Sequence, residues 1–222
     1  STLVLVLTNK DKNQQYHHPL CQKTLLRYFG TVTSPYGWRD GRPHQGVDLE
    51  LHLHDSVMSV FDGKVRLART YEGYGKVVII RHYNGLETLY AHLNKIRVKE
   101  GDIVKAGQFI GNGGMTGNAS GTHLHFEMRF KGIPLNPSHI ISFQDKELYA
   151  DTLIVKRVKS NYVVYPYNTQ YHVVKKGDSP YSIAKRYGVK VESLCELNAI
   201  LPKTRLLVGQ KIKINNTLKK FF

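Results

Sequence analysis

The sequence predicts a mainly β protein built from antiparallel strands, with a small βααβ module at its C-terminal end. Short Val-, Ile- and Thr-rich runs alternate with Gly-containing turns from about residue 31 to residue 140. The 222 residues are 41% hydrophobic and 10% aromatic, which is enough for a packed core. Helical periodicity begins only after Tyr171. These observations together give the fold class.

The chain is strongly basic. Its formal net charge is +15, and residues 171–222 hold 11 Lys and Arg against 3 Asp and Glu. This balance predicts an anionic partner. The sequence contains no helix-turn-helix pattern, aromatic-basic sheet motif or Cys/His finger, so we do not expect nucleic acid. A cell-wall polymer or a membrane surface fits the charge.

Neither a membrane span nor a disulfide is expected. No run approaches the ~18 apolar residues of a transmembrane helix. The opening Ser1–Leu7 has no basic n-region and is too short for a full signal peptide, so it is either an edge strand or the start of a chain whose targeting segment was removed. Cys21 and Cys195 fall in different predicted modules.

The first elements are short strands joined by tight turns. Asp62-Gly63 separates Val57–Phe61 from Lys64–Ala68 and predicts a hairpin between these two runs. Asn84-Gly85 predicts a second hairpin, and Glu100–Asp102 marks another turn. Strands this short and this close together are typical of an antiparallel sheet or a barrel-like sandwich.

A connector and a helical module follow. Residues 141–170 have little periodicity, with one strand expected at Thr152–Val158, but their tyrosines indicate that they pack on something. In the module after them, Ser179 and Pro180 predict a helix start and Gly188 its end. The flanking elements are expected to be a strand at Tyr171–Lys175, a second helix at Val191–Leu197 and a closing strand at Gly209–Ile214.

Two histidines share one face of a predicted strand. Because strand side chains alternate, His123 and His125 point the same way, while Leu124 and Phe126 point into a core. A Gly/Ser/Thr-rich loop, Gly111–Gly121, leads into this strand. The pair indicates a metal or proton-transfer site, with an exposed polar strand face as the alternative.

Two other clusters supply matching groups. His44 and Asp48 offer an imidazole and a carboxylate, which suit a first-row metal, and Gly46 allows a tight turn between them. His92 lies near the end of another strand. Together with the histidine pair these make five groups. Three can hold Zn²⁺ with a coordination position open for water, and two remain as acid and base.

Five motifs, in this order and spacing, resemble the lysostaphin-type (LytM-like) zinc metallopeptidases over residues 31–140. They are Thr33–Arg39, His44–Asp48, Leu89–Leu93, Gly114–Gly117 and His123–Glu127. The resemblance implies a two-sheet β scaffold, one Zn²⁺ per chain and peptidoglycan endopeptidase activity. Carried over position by position, it implies that the zinc ligands are His44, Asp48 and His125 and that the catalytic pair is His92 and His123.

Other histidines are weaker candidates. By strand alternation His52 and His54 would share a face with Asp48, which makes an alternative metal strand, although a polar strand face or a turn is the commoner outcome. His82 precedes a turn and is expected to be structural. His17 and His18 lie outside the matched region.

The C-terminal module resembles a LysM domain over about residues 171–215, although Ser179-Pro180 replaces the more usual Thr-Leu. The resemblance implies binding of N-acetylglucosamine-containing glycan such as peptidoglycan. The implied contact residues are Gly177, Asp178, Ser179, Pro180, Asn198, Ala199, Ile200 and Leu201. Each of them could equally serve the fold as a turn, cap or loop residue.

We therefore expect a peptidase domain at residues 1–140 with its core at 31–140, a connector at 141–170 and a LysM domain at 171–217. The expected activity is zinc-dependent hydrolysis of peptidoglycan peptide crosslinks by a monomer in the bacterial cell envelope, periplasmic or secreted, with no signal segment in this chain. The sequence leaves the D-alanyl crosslink and the glycine bridge open, and mildly favours the crosslink. The alternatives are a non-enzymatic activator or scaffold of other cell-wall hydrolases and a carbohydrate-binding adaptor.

Overall fold

The structure, a computed structural model, describes residues 2–7, 29–39, 41–167 and 169–214. It is mostly antiparallel β-sheet, which confirms the predicted fold class. Within the described ranges no helix is long and apolar enough to cross a membrane. The helices are a 3₁₀ helix at Pro137–His139, α1 at Pro180–Tyr187 and α2 at Val191–Asn198.

Twenty strands make up the sheets of the described residues. They are β1 Thr2–Val6, β2 Val32–Ser34, β3 Gly37–Arg39, β4 Arg42–His44, β5 Val47–Glu50, β6 Ser56–Met58, β7 Gly63–Tyr71, β8 Gly75–His82, β9 Leu86–Leu93, β10 Lys95–Ile96, β11 Ile103–Val104, β12 Phe109–Asn112, β13 His123–Phe130, β14 Ile133–Leu135, β15 Ile141–Ser142, β16 Glu147–Leu148, β17 Thr152–Val158, β18 Asn161–Pro166, β19 Gln170–Val173 and β20 Lys211–Ile214.

The largest sheet positions the candidate site. Its strand order is β11-β7-β8-β9-β13-β5-β2, and β14 also pairs with β13. On β13 the side chains of Leu124, Phe126 and Met128 are buried in the main core. His123 and His125 alternate with them on the opposite face. The predicted alternation is therefore confirmed, and both histidines lie on the same face of the sheet.

One of the two predicted hairpins forms. β8 and β9 pair antiparallel across Asn84-Gly85, as predicted. The hairpin predicted across Asp62-Gly63 is wrong, because β6 pairs with β12 in a separate three-stranded sheet, whereas β7 joins the large sheet. The Asp62 carboxylate accepts a hydrogen bond from the backbone N–H of Ala106 at 2.7 Å and forms an ion pair with Lys105 at 3.0 Å. These contacts hold the chain where it crosses between the two sheets.

Residues 141–170 pack on the body of the protein, as their tyrosines predicted. The strand expected at Thr152–Val158 has those bounds and pairs with both β1 and β18. Leu153 and Val155 are fully buried in the main core. Tyr162 meets Phe130 of β13 edge-to-face, with ring centroids 5.1 Å apart.

The C-terminal module has the predicted strand–helix–helix–strand order and its own apolar core. β19 and β20 pair antiparallel. Ser179 caps α1 in a reciprocal capping box with Ser182. Gly188 ends α1 in the left-handed region, with φ of 63°. The local capping signals in the sequence therefore set the bounds of this helix.

Helix α2 docks the C-terminal module on residues 142–149. Asp145 forms an ion pair with Lys190 and accepts a hydrogen bond from the Ser193 hydroxyl. The Tyr149 hydroxyl donates to the Ser193 carbonyl at 3.1 Å. The Glu196 carboxylate accepts from the backbone N–H of Phe143 at 3.3 Å. The module is thus held by polar contacts along one face of α2.

Candidate metal centre

Strands β4, β5 and β13 bring three buried side chains together. His125 of β13 lies directly opposite Asp48 of β5, and His44 ends β4. Asp48 Oδ1 lies 3.0 Å from His44 Nε2 and 2.8 Å from His125 Nδ1. The donor atoms of all three residues lie within 4.8 Å of one another. The three residues implied as ligands by the sequence therefore meet at one point.

Backbone and carboxylate partners determine which ring nitrogens face this point. A carbonyl oxygen only accepts, so His44 Nδ1 carries the proton that it donates to Pro35 O at 2.7 Å. His125 Nε2 donates to Glu127 Oε1 at 3.0 Å. In the neutral rings the other two nitrogens present lone pairs, only 3.0 Å apart and both beside Asp48 Oδ1. Three acceptor atoms converging without a proton between them fit a cation.

The donor set suits a catalytic zinc site. Two imidazoles and a carboxylate are zinc ligands, and three protein ligands leave a further coordination position open. Burial alone would raise the pKa of Asp48, but its close contacts with the His125 and His44 rings hold that pKa far below its usual range. Arg39 donates to the second carboxylate oxygen of Asp48 at 2.9 Å. Asp48 is therefore an ionised carboxylate, and each of its two oxygens has side-chain partners.

His92 and His123 form a second pair beside this centre. Their ring centroids are 4.8 Å apart. His92 Nδ1 donates to Thr116 O and His123 Nδ1 donates to Gly121 O, each at 2.8 Å. Both acceptors belong to the residue 111–121 loop, so this loop sets the tautomer of each ring and leaves each Nε2 available for proton transfer.

His92 has an unusual backbone conformation. Its φ is 60°, in the left-handed region that costs a non-glycine residue roughly 1–3 kcal/mol. A hydrogen bond from its backbone N–H to Tyr74 O, 2.9 Å long, helps to hold it there. Burial lowers the pKa of His92, and the neighbouring His123 lowers it further. These two effects favour the neutral form of the His92 ring.

Comparison with known families matches both parts of the chain. The model of Peptidase family M23 matches residues 42–137, and the LysM domain model matches residues 172–215. The chain carries an M23 peptidase domain and a LysM domain. Family M23 peptidases are zinc-dependent, in agreement with the donor set of this centre.

Curated relatives match the M23 domain. The DD-carboxypeptidase/endopeptidase Mpg of Neisseria meningitidis is 41% identical over 112 residues, covering 48% of this chain and 26% of Mpg. The peptidoglycan DD-endopeptidase ShyA of Vibrio cholerae is 42% identical, covering 42% of this chain and 22% of ShyA. The murein hydrolase activator NlpD of Escherichia coli is 38% identical, covering 49% and 28%. The matches thus span about a quarter of the length of these relatives.

The M23 domain holds its five candidate groups in one open groove. This groove has a volume of about 690 Å³. Its lining includes His44, Asp48, His92, His123 and His125. Sequence reasoning missed two groups that support them, Arg39 and Glu127. Strand alternation could have revealed Glu127, which lies two residues after His125 on the same face.

The alternative metal strand in the M23 domain does not form. Strand β5 ends at Glu50, so His52 and His54 do not continue its face, and the turn that was one of the two commoner outcomes forms instead. Both histidines are exposed in a turn, with a φ of 73° at His54. The His54 ring instead lies 2.9 Å from the side-chain amide of Asn94.

His82 is structural, as predicted. Its ring forms hydrogen bonds with Asp62 O at 2.9 Å and with the Thr88 hydroxyl at 2.8 Å. Burial lowers the pKa of His82 to about 4. His17, His18 and Cys21 lie outside the described residues. Cys195 is buried in helix α2.

Within the first loop of the LysM domain, several predicted glycan contacts have structural partners. Asp178 accepts from His172 Nε2 at 2.6 Å and from the backbone N–H of Lys175 at 2.8 Å. Ser179 caps α1, and Pro180 is buried in the first turn of this helix. Gly177 is exposed. Glycan contact by these residues stays a prediction.

The second loop of the LysM domain is similar. The Asn198 side chain donates to Leu194 O and to Lys213 O, at 2.8 and 2.9 Å. Ala199 ends α2 in the left-handed region, and Ile200 packs on the LysM core. Leu201 is 74% exposed. Leu201 is thus the residue of this group most available to a ligand.

Proposed function

We propose that this chain is a zinc-dependent endopeptidase that hydrolyses peptide crosslinks of peptidoglycan, with one Zn²⁺ held by His44, Asp48 and His125. The observation that carries the proposal is the convergence of three acceptor atoms beside two histidines whose Nε2 atoms are available. Zinc held in such a site would polarise the carbonyl of the peptide bond to be cleaved and would lower the pKa of a water molecule. The similarity to Mpg and ShyA supports this substrate class.

In this proposal His92 and His123 are the catalytic pair. Their Nδ1 protons are committed to Thr116 O and Gly121 O, so only Nε2 exchanges protons with the substrate. One Nε2 takes the proton of the attacking water, and a proton returns to the leaving amine as the peptide bond breaks. Burial lowers the pKa of His92, which favours the unprotonated ring that can accept a proton.

The LysM domain would hold the glycan strand while the M23 domain cuts the peptide. Tethering raises the local concentration of substrate without any new contact in the groove. The proposed glycan contacts are the loops Gly177–Pro180 and Asn198–Leu201. Because Mpg and ShyA are described as DD-enzymes, we favour the D-alanyl crosslink over a glycine bridge, and the cell envelope as the location. The division at residues 140 and 171, and a monomeric state, belong to the same proposal.

Digestion of purified sacculi tests this function. Zinc-loaded protein should release peptides in which one crosslink has gained one water, and mass spectrometry of the products identifies the bond. A chelator should stop release, and added zinc should restore it. If the loaded protein releases nothing from sacculi that a control hydrolase digests, the endopeptidase proposal fails.

The second candidate is a non-enzymatic activator of other cell-wall hydrolases, which the similarity to NlpD favours. The two candidates differ in what His123 must do. An activator should stimulate a partner hydrolase equally well with His123→Ala, because no turnover of its own is needed. The presence of all five candidate groups in the groove supports the enzyme.

A further inference from the structure

Glu127 is a fully buried carboxylate behind the candidate metal centre. Its side chain is 0% exposed and lies on the same face of β13 as His125. Its Oε1 atom lies 3.0 Å from His125 Nε2 and accepts from the Tyr74 hydroxyl at 2.8 Å. Burying a charged group costs free energy unless the group is paired and hydrogen-bonded. The presence of a buried carboxylate at this position therefore requires an explanation.

Arg129 supplies the balancing charge. Its guanidinium donates to Glu127 Oε2 and also, at 3.0 Å, to the Tyr74 hydroxyl. Tyr74 therefore bonds the same carboxylate oxygen as His125, and Arg129 holds the other oxygen. With these two partners fixed, the position of Glu127 Oε1 is determined before any metal binds.

The Glu127 contact determines the tautomer of His125. An ionised carboxylate is an acceptor only, so the hydrogen bond places the ring proton on Nε2. Nδ1 is then left with a lone pair directed at Asp48 Oδ1 and His44 Nε2, at 2.8 and 3.0 Å. The opposite tautomer would place a proton between the three candidate ligand atoms.

We propose that Glu127 is a positioning residue that fixes the His125 ring for metal binding, and that Arg129 and Tyr74 hold it in place. The proposal rests on the proposed function, because it concerns the same zinc site. Carboxylates that bind the second nitrogen of a histidine ligand typically contribute 10–100-fold in metal affinity. A core residue without this role would affect folding but not zinc affinity.

Zinc affinity of Glu127 variants, measured by competition with a chromophoric chelator, tests the proposal. Glu127→Ala should weaken zinc binding by about 10–100-fold. Glu127→Gln keeps an oxygen that can accept from His125, so it should retain more affinity than Glu127→Ala. The visible spectrum of the cobalt-substituted protein should change more in Glu127→Ala than in Glu127→Gln, because only the alanine variant removes every acceptor that holds the ligand ring in one orientation.

Glu87 provides a matched control. It is also a buried carboxylate on the large sheet, but it forms ion pairs with Arg66 at 2.8 Å and Arg81 at 2.9 Å. Glu87→Gln should lower the thermal stability of the metal-free protein and leave zinc affinity unchanged. Thermal unfolding of every variant without metal separates loss of fold from loss of the site.

The outcomes distinguish this proposal from the proposed function. Unchanged zinc affinity and an unchanged cobalt spectrum in folded Glu127→Ala would overturn the positioning role while leaving the enzyme proposal intact. Equal losses of affinity in the Glu127 and Glu87 variants would also overturn it, since the effect would then be general to buried carboxylates. If the parent protein binds no zinc, the proposed function itself fails.

Discussion

At the scale of single residues, the candidate site depends on which nitrogen of each histidine keeps its proton. His44, His92 and His123 each donate through Nδ1 to a backbone carbonyl. His125 is the exception, because its Nε2 faces Glu127 and its Nδ1 faces Asp48 at the proposed metal position. The hydrogen-bond partner of one ring nitrogen thus determines which nitrogen of each histidine remains available, and with it the role of the residue.

The first prediction separates the two histidines of β13. His125→Ala should lose high-affinity zinc binding, because it removes one of three proposed ligands. His123→Ala should keep zinc and lose turnover by about 10²–10⁴-fold, the usual contribution of a general acid or base. Zinc content by elemental analysis and peptide release from sacculi are the two measurements. Retention of zinc by His125→Ala, or normal turnover by His123→Ala, would contradict the division of roles.

At the scale of elements, the site depends on how closely the β4–β5 corner approaches β13. A Cβ atom added at Gly46 would lie 2.3 Å from the Phe126 carbonyl oxygen and 2.8 Å from Glu127 Cγ. Only a residue without a side chain allows this approach. The spacing of His44 and Asp48 and their distance from His125 therefore depend on one glycine.

The second prediction concerns that approach. Gly46→Ala should destabilise the protein by about 1–3 kcal/mol, as overpacking typically does, and should weaken zinc binding because the corner carrying two proposed ligands is displaced. Gly121→Ala is the control, since no atom lies within 4 Å of its added Cβ, and it should change stability by less than about 0.5 kcal/mol. Denaturant unfolding with and without zinc measures both effects. Equal stability of the two variants would contradict the role assigned to Gly46.

The sequence predicted the elements well where the signals are local. The Asn84-Gly85 turn, the Ser179 cap and the Gly188 helix end all act within a few residues, and each lies where it was expected. Asp62-Gly63 carries an equally strong local signal but forms no hairpin. The conformation there is determined by the contacts of Asp62 with Ala106 and Lys105, which are more than 40 residues away in the chain.

At the scale of the whole molecule, the contact between α2 and residues 142–149 links the LysM domain to the body of the protein. This contact includes the Glu196 carboxyl. Burial, helped by the nearby Asp145, raises the pKa of this carboxyl from 4.5 to about 7 despite hydrogen bonds from Phe143 and Tyr149 that lower it. The docked helix therefore carries a carboxyl that is costly to ionise.

The third prediction is a pH dependence of stability. The folded-state pKa of Glu196 lies above its unfolded value, so its ionisation costs nothing below about pH 4.5 and most above about pH 7, where the cost reaches about 3 kcal/mol. Glu196→Gln cannot ionise and should therefore gain stability relative to the parent as the pH rises from 5 to 8. Unfolding of both proteins at several pH values measures the difference between them.

Glu192→Gln is the control for this pH dependence, because Glu192 is an exposed carboxylate on the same helix. Its stability curve should parallel that of the parent. Parallel curves for the parent and Glu196→Gln would instead contradict the prediction that the raised pKa of Glu196 makes the stability of the protein depend on pH. Asp145 cannot mimic the effect, because its pKa is lowered by Lys190 and Ser193 despite burial, and its contribution is lost toward acid pH.

By itself, the sequence determined the mainly β class, the shared face of His123 and His125 and the helix ends of the LysM module. These follow from strand alternation and capping, which are interactions between residues close in the chain. The tertiary structure decided the partner of β6, the His92 tautomer set by Thr116, and the docking of α2. The physical reason is that each of these depends on a hydrogen-bond acceptor or strand edge that folding brings from a distant part of the chain.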